Sequence, residues 1–174
     1  MIYGYTKNRE KAWEIIEKLG LCSEQESKVQ FTMADRKINA VMSTSAGRLF
    51  DAVSAILGIR RQSSFEGEAS TALQFAAEEF EQKGKLNGNE IWDNVQPVIL
   101  GLEGRCILNT EALVQLIVET KLQGADSGAL AYLFHQTLAE QIVVACIEAR
   151  KSSGRNKTAL SGGVFQNRLL LHLT

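Results

Sequence analysis

The chain has 174 residues, 45% of them apolar and 22% charged, with a formal net charge of −1. That length and composition suit one compact domain with a smaller attachment and exclude a disordered chain, and the near-neutral charge leaves no general electrostatic reason to bind nucleic acid or an anionic membrane. No apolar run approaches the ~20 residues a bilayer crossing needs, and the start, MIYGYTKNREK, has no hydrophobic segment behind its charges, so no secretory signal is read and a cytoplasmic protein is expected.

From Lys7 to Leu19, the residues Ala12, Ile16 and Leu19 fall on one helical face, with Gly20 as the stop. Residues 22–42 are polar and lack periodicity, which predicts a loop with irregular or short helical pieces. Ser43, Thr44 and Ser45 offer N-caps for a helix that points Leu49, Val53 and Ile56 inward and ends at Gly58. A turn over Ser63–Gly67 leads into a long helix to about Lys83, with Ala69, Ala72, Leu73, Ala76 and Phe80 as its buried stripe.

KGKLNGN reads as a loop. VQPVIL and RCIL, joined by Gly-Leu-Glu-Gly, predict a β-hairpin whose first strand lies at an edge, because Pro97 donates no ladder hydrogen bond. Helices follow over roughly 110–122 and 126–150. The second starts at Asp126 or Ser127 and buries Leu130, Phe134, Leu138, Ile142 and Ala145. A short strand at Thr158–Leu160, a tight Ser161-Gly162-Gly163 turn and a final helix over Val164–Leu173 complete an α/β, helix-rich chain with no internal repeat.

The three cysteines, Cys22, Cys106 and Cys146, lie far apart with no CxxC pair, so neither a zinc ribbon nor a disulfide framework is written here, and all three read as buried small hydrophobes. With only two histidines, a self-contained metal enzyme is not expected, and no metal ligand is assigned in this chain.

Three stretches can carry chemistry. In TALSGGVFQNRLLL, an apolar strand feeds Ser161-Gly162-Gly163 and then a helix. The glycines let backbone approach a ligand, the amides of the helix start favour negative charge, and Asn167 lies one turn in, within reach of a ribose or base. A tight strand–helix connection in which glycine serves only packing accounts for the same residues. In STSAGRLFDAVSAILGI, Arg48 and Asp51 share one side of a helix beside Gly47. Asp51 at the edge of the apolar face needs a partner, which a ribose hydroxyl or a magnesium-bound water supplies; a plain ion pair to Arg48 supplies one too.

In SSFEGEAS, Glu66 and Glu68 flank Gly67 ahead of a helix, where the helix dipole alone explains acidic residues. The alternative sets the Gly67 backbone against a ligand, with one glutamate helping to hold a cation. His135, in YLFHQTLAE, borders an apolar stripe, the position of a satisfied core-edge histidine more often than of a ligand or base.

Taken together and in order, TSAGRLFDAVSAILGI with FEGEAS, then LFHQTLAE, then LSGGVFQNRLLL resemble the C-terminal ATP-binding domain of the HypF carbamoyltransferases, which mature [NiFe] hydrogenases. The likeness runs from about Lys7 to the last residue, loosely over 22–42 and 84–94. The domain is similar to TsaD, the tRNA threonylcarbamoyladenosine synthase component, and more distantly to NodU-type carbamoyltransferases. The resemblance implies part of an actin-like ATPase fold, mostly its second lobe, in which Asp51 and Asn167 contact the ribose or adenine of ATP.

On the same resemblance, Gly162 and Gly163 form the turn against the nucleotide, and Gly67 the opposite wall. Arg48, Glu66, Glu68, Ser161 and His135 are further candidates. The bend and the Asp51 carboxylate are then expected to face one another across a gap wide enough for an adenosine. The implied chemistry converts ATP (with magnesium) and carbamoyl phosphate into a carbamoyl adenylate, whose carbamoyl group passes to a cysteine of a HypE partner.

The family's acylphosphatase-like, zinc-finger and YrdC-like domains have no counterpart here, and its metal-holding histidines and aspartate are expected outside this stretch. The chain alone is therefore expected to be inactive. A TsaD-like tRNA-modifying component and a non-catalytic module that docks a HypE-like partner are the alternatives.

Overall fold

The computed structural model describes residues 1–40, 43–84, 99–102 and 105–174, with the backbone alone at 99–102, 105 and 106. In chain order the elements are α1 (Ile2–Thr6), α2 (Arg9–Lys18), α3 (Glu24–Arg36), α4 (Ala46–Ile56), α5 (Glu68–Gln82), β1 (Ile99–Leu102), β2 (Arg105–Leu108), α6 (Thr110–Leu122), α7 (Ser127–Ser153), a 3₁₀ turn (Gly163–Gln166) and α8 (Arg168–Leu173).

The axis of the fold is α7. Its first half is apolar nearly all round, and Leu130, Ala131, Leu133, Phe134, Leu138 and Ala139 are all buried. Such a helix needs cover on every side. Helix α5 lies along it, α6 and α8 pack on it, and α4 packs on α5. By length and composition α7 could also span a bilayer, its 18-residue window having a mean hydropathy of 1.3. That exceeds what the sequence pattern led us to expect, but 56% of the window is buried inside the fold, which makes it a core helix.

Short polar side chains set the helix starts. Ser45 accepts from the Arg48 amide at 3.5 Å, Asn109 from the Ala112 amide at 3.1 Å and Asp126 from the Ala129 amide at 3.0 Å. Each satisfies one amide that a first turn leaves without a partner.

The close approach of α5 and α7 depends on Gly128. A Cβ there would meet the Ala76 carbonyl oxygen at 3.1 Å and the Phe80 Cβ at 3.2 Å. Gly128→Val is therefore expected to lower stability by about 2 kcal/mol, because branched bulk overpacks the contact and the small gain in helix preference over glycine does not offset it. Urea denaturation of the variant checks this.

Several expectations are corrected. The first helix does not begin at Lys7. Lys7 is left-handed (φ 49°) and separates α1 from α2, whose start is capped by Asn8 accepting from the Lys11 amide at 2.9 Å. Residues 22–42, read as a loop, contain α3, a helix of 13 residues. It is fixed by a capping box in which Ser23 and Glu26 bond each other's backbone amides, at 3.3 and 2.8 Å. Of its apolar side chains Phe31 is buried, tilted on Tyr3 at 4.8 Å between centroids. Asp35 near its end accepts from the Tyr3 hydroxyl and from Arg9.

On α5, Ala72 and Ala76 are half-buried, and Gln74 and Ala77 take their places in the core beside Ala69, Leu73 and Phe80. On α7, Ile142 and Ala145 are half-buried too. Cys22 and Cys146 are half-buried free thiols rather than buried ones, and the Cys106 side chain lies outside the described residues.

The hairpin is present, with Ile99 opposite Leu108 and Leu102 opposite Arg105, so β1 takes in Gly101 and Leu102, which the sequence assigned to the connection. The KGKLNGN loop from residue 85 on, and the first strand's 95–98 with Pro97, lie outside the described residues. Thr158–Leu160 is not a strand: it is exposed and pairs with no other segment among the described residues. The helix-rich expectation stands, with the hairpin as the sheet content of the described residues.

Candidate functional site

The predicted final helix is divided at Asn167. A 3₁₀ turn covers Gly163–Gln166 and α8 starts only at Arg168, with Asn167 as its N-cap. The Asn167 Oδ1 accepts from the Leu170 amide at 2.9 Å. Its Nδ2 donates to His135 Nε2 on α7 at 3.0 Å. His135 is fully buried, and its Nδ1 lies 2.7 Å from the Ala131 carbonyl oxygen.

A carbonyl only accepts, so Nδ1 carries the proton and Nε2 is left as the acceptor that the Asn167 amide needs. Burial lowers the His135 pKa to about 4, so the ring is neutral near pH 7, opposed weakly by the Ala131 bond and by Glu78 on α5. His135 is thus a satisfied core histidine, and its second bond goes directly to the candidate ligand-binding asparagine.

Phe50 on α4 lies edge-on to His135 at 5.3 Å and to Phe134 at 4.8 Å between centroids. This three-ring contact fastens α4 to α7. The 3₁₀ turn also packs on α4, so the Ser161–Gly163 bend and the helix that carries Asp51 adjoin. Ser161, Gly162 and Gly163 are exposed, and Gly162 (φ 97°, ψ 161°) holds a conformation open only to glycine.

Asp51 is half-buried and Arg48 exposed, and among the described residues no side-chain hydrogen bond or ion pair joins them or engages either side chain. The plain ion pair that would have explained Asp51 does not form.

The FEGEAS turn is otherwise engaged. Glu68 accepts from the Ser64 amide at 2.5 Å and from its hydroxyl at 3.0 Å, and it pairs with Arg60. The Ser64 amide foremost, with the Arg60 charge also contributing, holds its carboxyl below the usual range. Glu68 therefore ties the loop after α4 to the start of α5. Gly67 caps α5, its carbonyl taking the Thr71 amide at 2.9 Å, and Glu66 is exposed. No hydrogen bond among the described residues connects Gly67 or Glu66 to the Gly162 bend.

A cavity of about 410 Å³ opens at the C-terminal ends of α2, α4 and α6, lined by Lys18, Leu19, Gly58, Arg61 and Lys121 among others. None of the predicted site residues lines it. Its cations are committed: Arg61 donates to the Leu19 and Gly20 carbonyls, Lys121 to Ser127 at 2.7 Å, and Lys18 to Glu14 at 2.7 Å. Positive groups at helix C-termini offset the exposed carbonyls there. Among the described residues, no three His, Cys, Asp or Glu side chains converge as a metal site.

Sequence reasoning listed Asn167 and His135 separately and missed their connection, together with the role of Phe50 in fastening α4. Residues 32 positions apart on different elements carry no spacing signal that would join them.

Comparison with known proteins identifies the family. All 174 residues match the family model of the carbamoyltransferase Kae1-like domain, second subdomain. The chain is 29% identical over 161 residues to the probable carbamoyltransferase HypF of Methanocaldococcus jannaschii, covering 92% of this chain and 19% of that protein. It is 32% identical over 149 residues to a carbamoyltransferase HypF homolog of Cupriavidus necator, covering 84% of this chain and 36% of that protein.

A crystal structure of full-length HypF in its phosphate- and nucleotide-bound form superimposes with a TM-score of 0.77 at 31% identity, over 91% of this chain and 24% of that one. The HypF structure from T. kodakarensis gives 0.73 over 99% of this chain and 22% of that one, at 24% identity, which speaks for the fold alone. The chain thus spans between about a sixth and a third of the length of such relatives. It belongs to the HypF carbamoyltransferase family and corresponds to the second subdomain of that family's Kae1-like domain.

Proposed function

We propose that this chain supplies one wall of the nucleotide site of an ATP-dependent carbamoyltransferase, as part of an actin-like ATPase domain that works in the cytoplasm on [NiFe] hydrogenase maturation. In this reading ATP, with magnesium, carbamoyl phosphate and water yield a carbamoyl adenylate with release of phosphate and pyrophosphate, and the carbamoyl group passes to a cysteine of a HypE-like partner with AMP as the leaving group. The observation that carries it is the half-buried Asn167 amide, oriented by a buried histidine, beside an exposed glycine bend that packs on the helix of Asp51, a carboxylate with no side-chain partner among the described residues.

The free donors and acceptors of these residues are of the kind an adenosine needs. The Asn167 amide keeps one N–H and one oxygen lone pair beyond its two internal bonds. Asp51 can accept from a ribose hydroxyl, and nothing lies within 4 Å of where a Cβ would stand at Gly162 or Gly163. Bound ATP supplies the activated phosphate. The chain's own part is positioning and charge placement, which adenylate chemistry needs more than a side-chain nucleophile. Gly67, Glu66, Glu68 and Arg48 stay secondary in this reading, because Glu68 is already spent on Arg60 and Ser64.

The test has two arms on the isolated chain. Titration with magnesium–ATP followed by NMR is expected to show weak binding that perturbs residues 161–167 and α4, and Asn167→Ala is expected to remove it. ATP cleavage dependent on carbamoyl phosphate is expected to be absent, and clear turnover would overturn the assignment of this chain as a partial site. Capture of a HypE-like partner without any nucleotide binding would favour the docking-module reading instead.

A further inference from the structure

We infer that His135 is a positioning residue for the nucleotide site, setting which end of the Asn167 amide faces the ligand; this rests on the proposed role of Asn167. An asparagine amide can turn about its last bond, exchanging a donor for an acceptor at little intrinsic cost. Here the two ends are held by partners of opposite kind. The Leu170 amide can only donate, so it requires the oxygen, at 2.9 Å. His135 Nε2, left as an acceptor by the proton that Nδ1 gives to Ala131, requires the NH₂ group, at 3.0 Å. Turning the amide over would set donor against donor at Leu170 and acceptor against acceptor at His135.

The histidine cannot turn away either. It is fully buried and lies edge-on to Phe50 and Phe134, at 5.3 and 5.7 Å between centroids. Rigid support behind a contacting side chain is what holds a recognition group in its productive geometry. The remaining N–H and oxygen lone pair of Asn167 therefore reach the ligand in one fixed order, which suits a partner that accepts at one atom and donates at a neighbouring one, as a ribose hydroxyl pair or an adenine edge does. Core packing alone would be met by any apolar side chain at 135; a ring with one nitrogen donating locally and the other aimed at Asn167 answers a further demand.

Two substitutions of His135 separate the roles. His135→Asn keeps a donor for Ala131 and removes the acceptor at the Nε2 position, and His135→Gln keeps an acceptor there. In the full chain, the dissociation constant for magnesium–ATP from NMR titration is expected to rise about tenfold in the Asn variant, the equivalent of one lost oriented contact, and to stay within about threefold of the parent in the Gln variant.

A direct reading needs no variant. A nitrogen–nitrogen coupling across the Asn167 Nδ2–H···Nε2 His135 bond is expected in the unaltered chain, so the inference remains open to refutation even if both variants fail to fold. Resolved side-chain signals without that coupling overturn the inference, as does parental affinity in a folded Asn variant. If Asn167→Ala binds magnesium–ATP as the parent does, or the parent binds none, the nucleotide reading fails and takes the inference with it. If Asn167→Ala loses binding while His135→Asn keeps it, the positioning role alone fails.

Discussion

Phe134→Ala is expected to destabilise the fold by about 4 kcal/mol, at the upper end of what emptying a buried aromatic site costs. Phe134 has no exposed surface and lies edge-on to Phe50 at 4.8 Å, an arrangement that adds to simple area burial. It sits in the half of α7 that is covered on every side, so its neighbours belong to several elements and cannot all move in to fill the space. Equilibrium denaturation in urea should show a lower midpoint with an unchanged slope. A loss below about 1 kcal/mol would mean that the core collapses onto the site, against the packing described.

Acidification is expected to cost nearly as much through His135 alone. Its folded pKa is lowered to about 4 from the usual 6.5, chiefly by burial. Between those values the unfolded chain takes up a proton that the folded chain refuses. Stability is therefore full above pH 6.5, falls as the pH drops towards 4 and levels off below that, for a total of about 3 kcal/mol.

The charged group facing the ring from a neighbouring element, Glu78 on α5, favours the protonated ring and so moderates the loss without reversing it. The carboxylates held below their usual range, among them Asp35 by Tyr3 and Arg9, Glu68 by Ser64 and Arg60, Glu26 by Ser23, Glu14 by Lys18 and Glu79 by Lys83, act at lower pH, so the interval from 4.5 to 6.5 belongs mainly to His135. Denaturation at pH 7, 5.5 and 4.5 should give a steep decline in the parent and a shallow one in His135→Gln. Equal declines in both would refute the assignment.

Elements that bury a regular apolar stripe were legible in the sequence. Helix α4 begins on Ser45 and buries Leu49, Val53 and Ile56 as expected, and α6 and the start of α7 on Asp126 were placed within a residue or so. Helix α3 was not legible, because its stability lies in the Ser23–Glu26 capping box and one buried phenylalanine rather than in a stripe. Thr158–Leu160 had the composition of a strand, yet a strand also needs a neighbour, and none pairs with it among the described residues. The candidate site was legible as separate residues only. Asn167 drew notice for its neighbouring glycines and His135 for its place at the border of an apolar stripe, whereas the bond between them is a product of tertiary packing.

The paired glycines of the bend, alike in sequence, differ in what evolution can do with them. At Gly162 the backbone angles (φ 97°, ψ 161°) bar every chiral residue, so any mutation of that codon for another amino acid distorts the bend whatever ligand is present. Gly163 has no such angle and open space around it, so alanine fits there without altering the path of the chain. A lineage that lost the ligand would be free to let position 163 drift, while position 162 would remain glycine for as long as the turn itself survived.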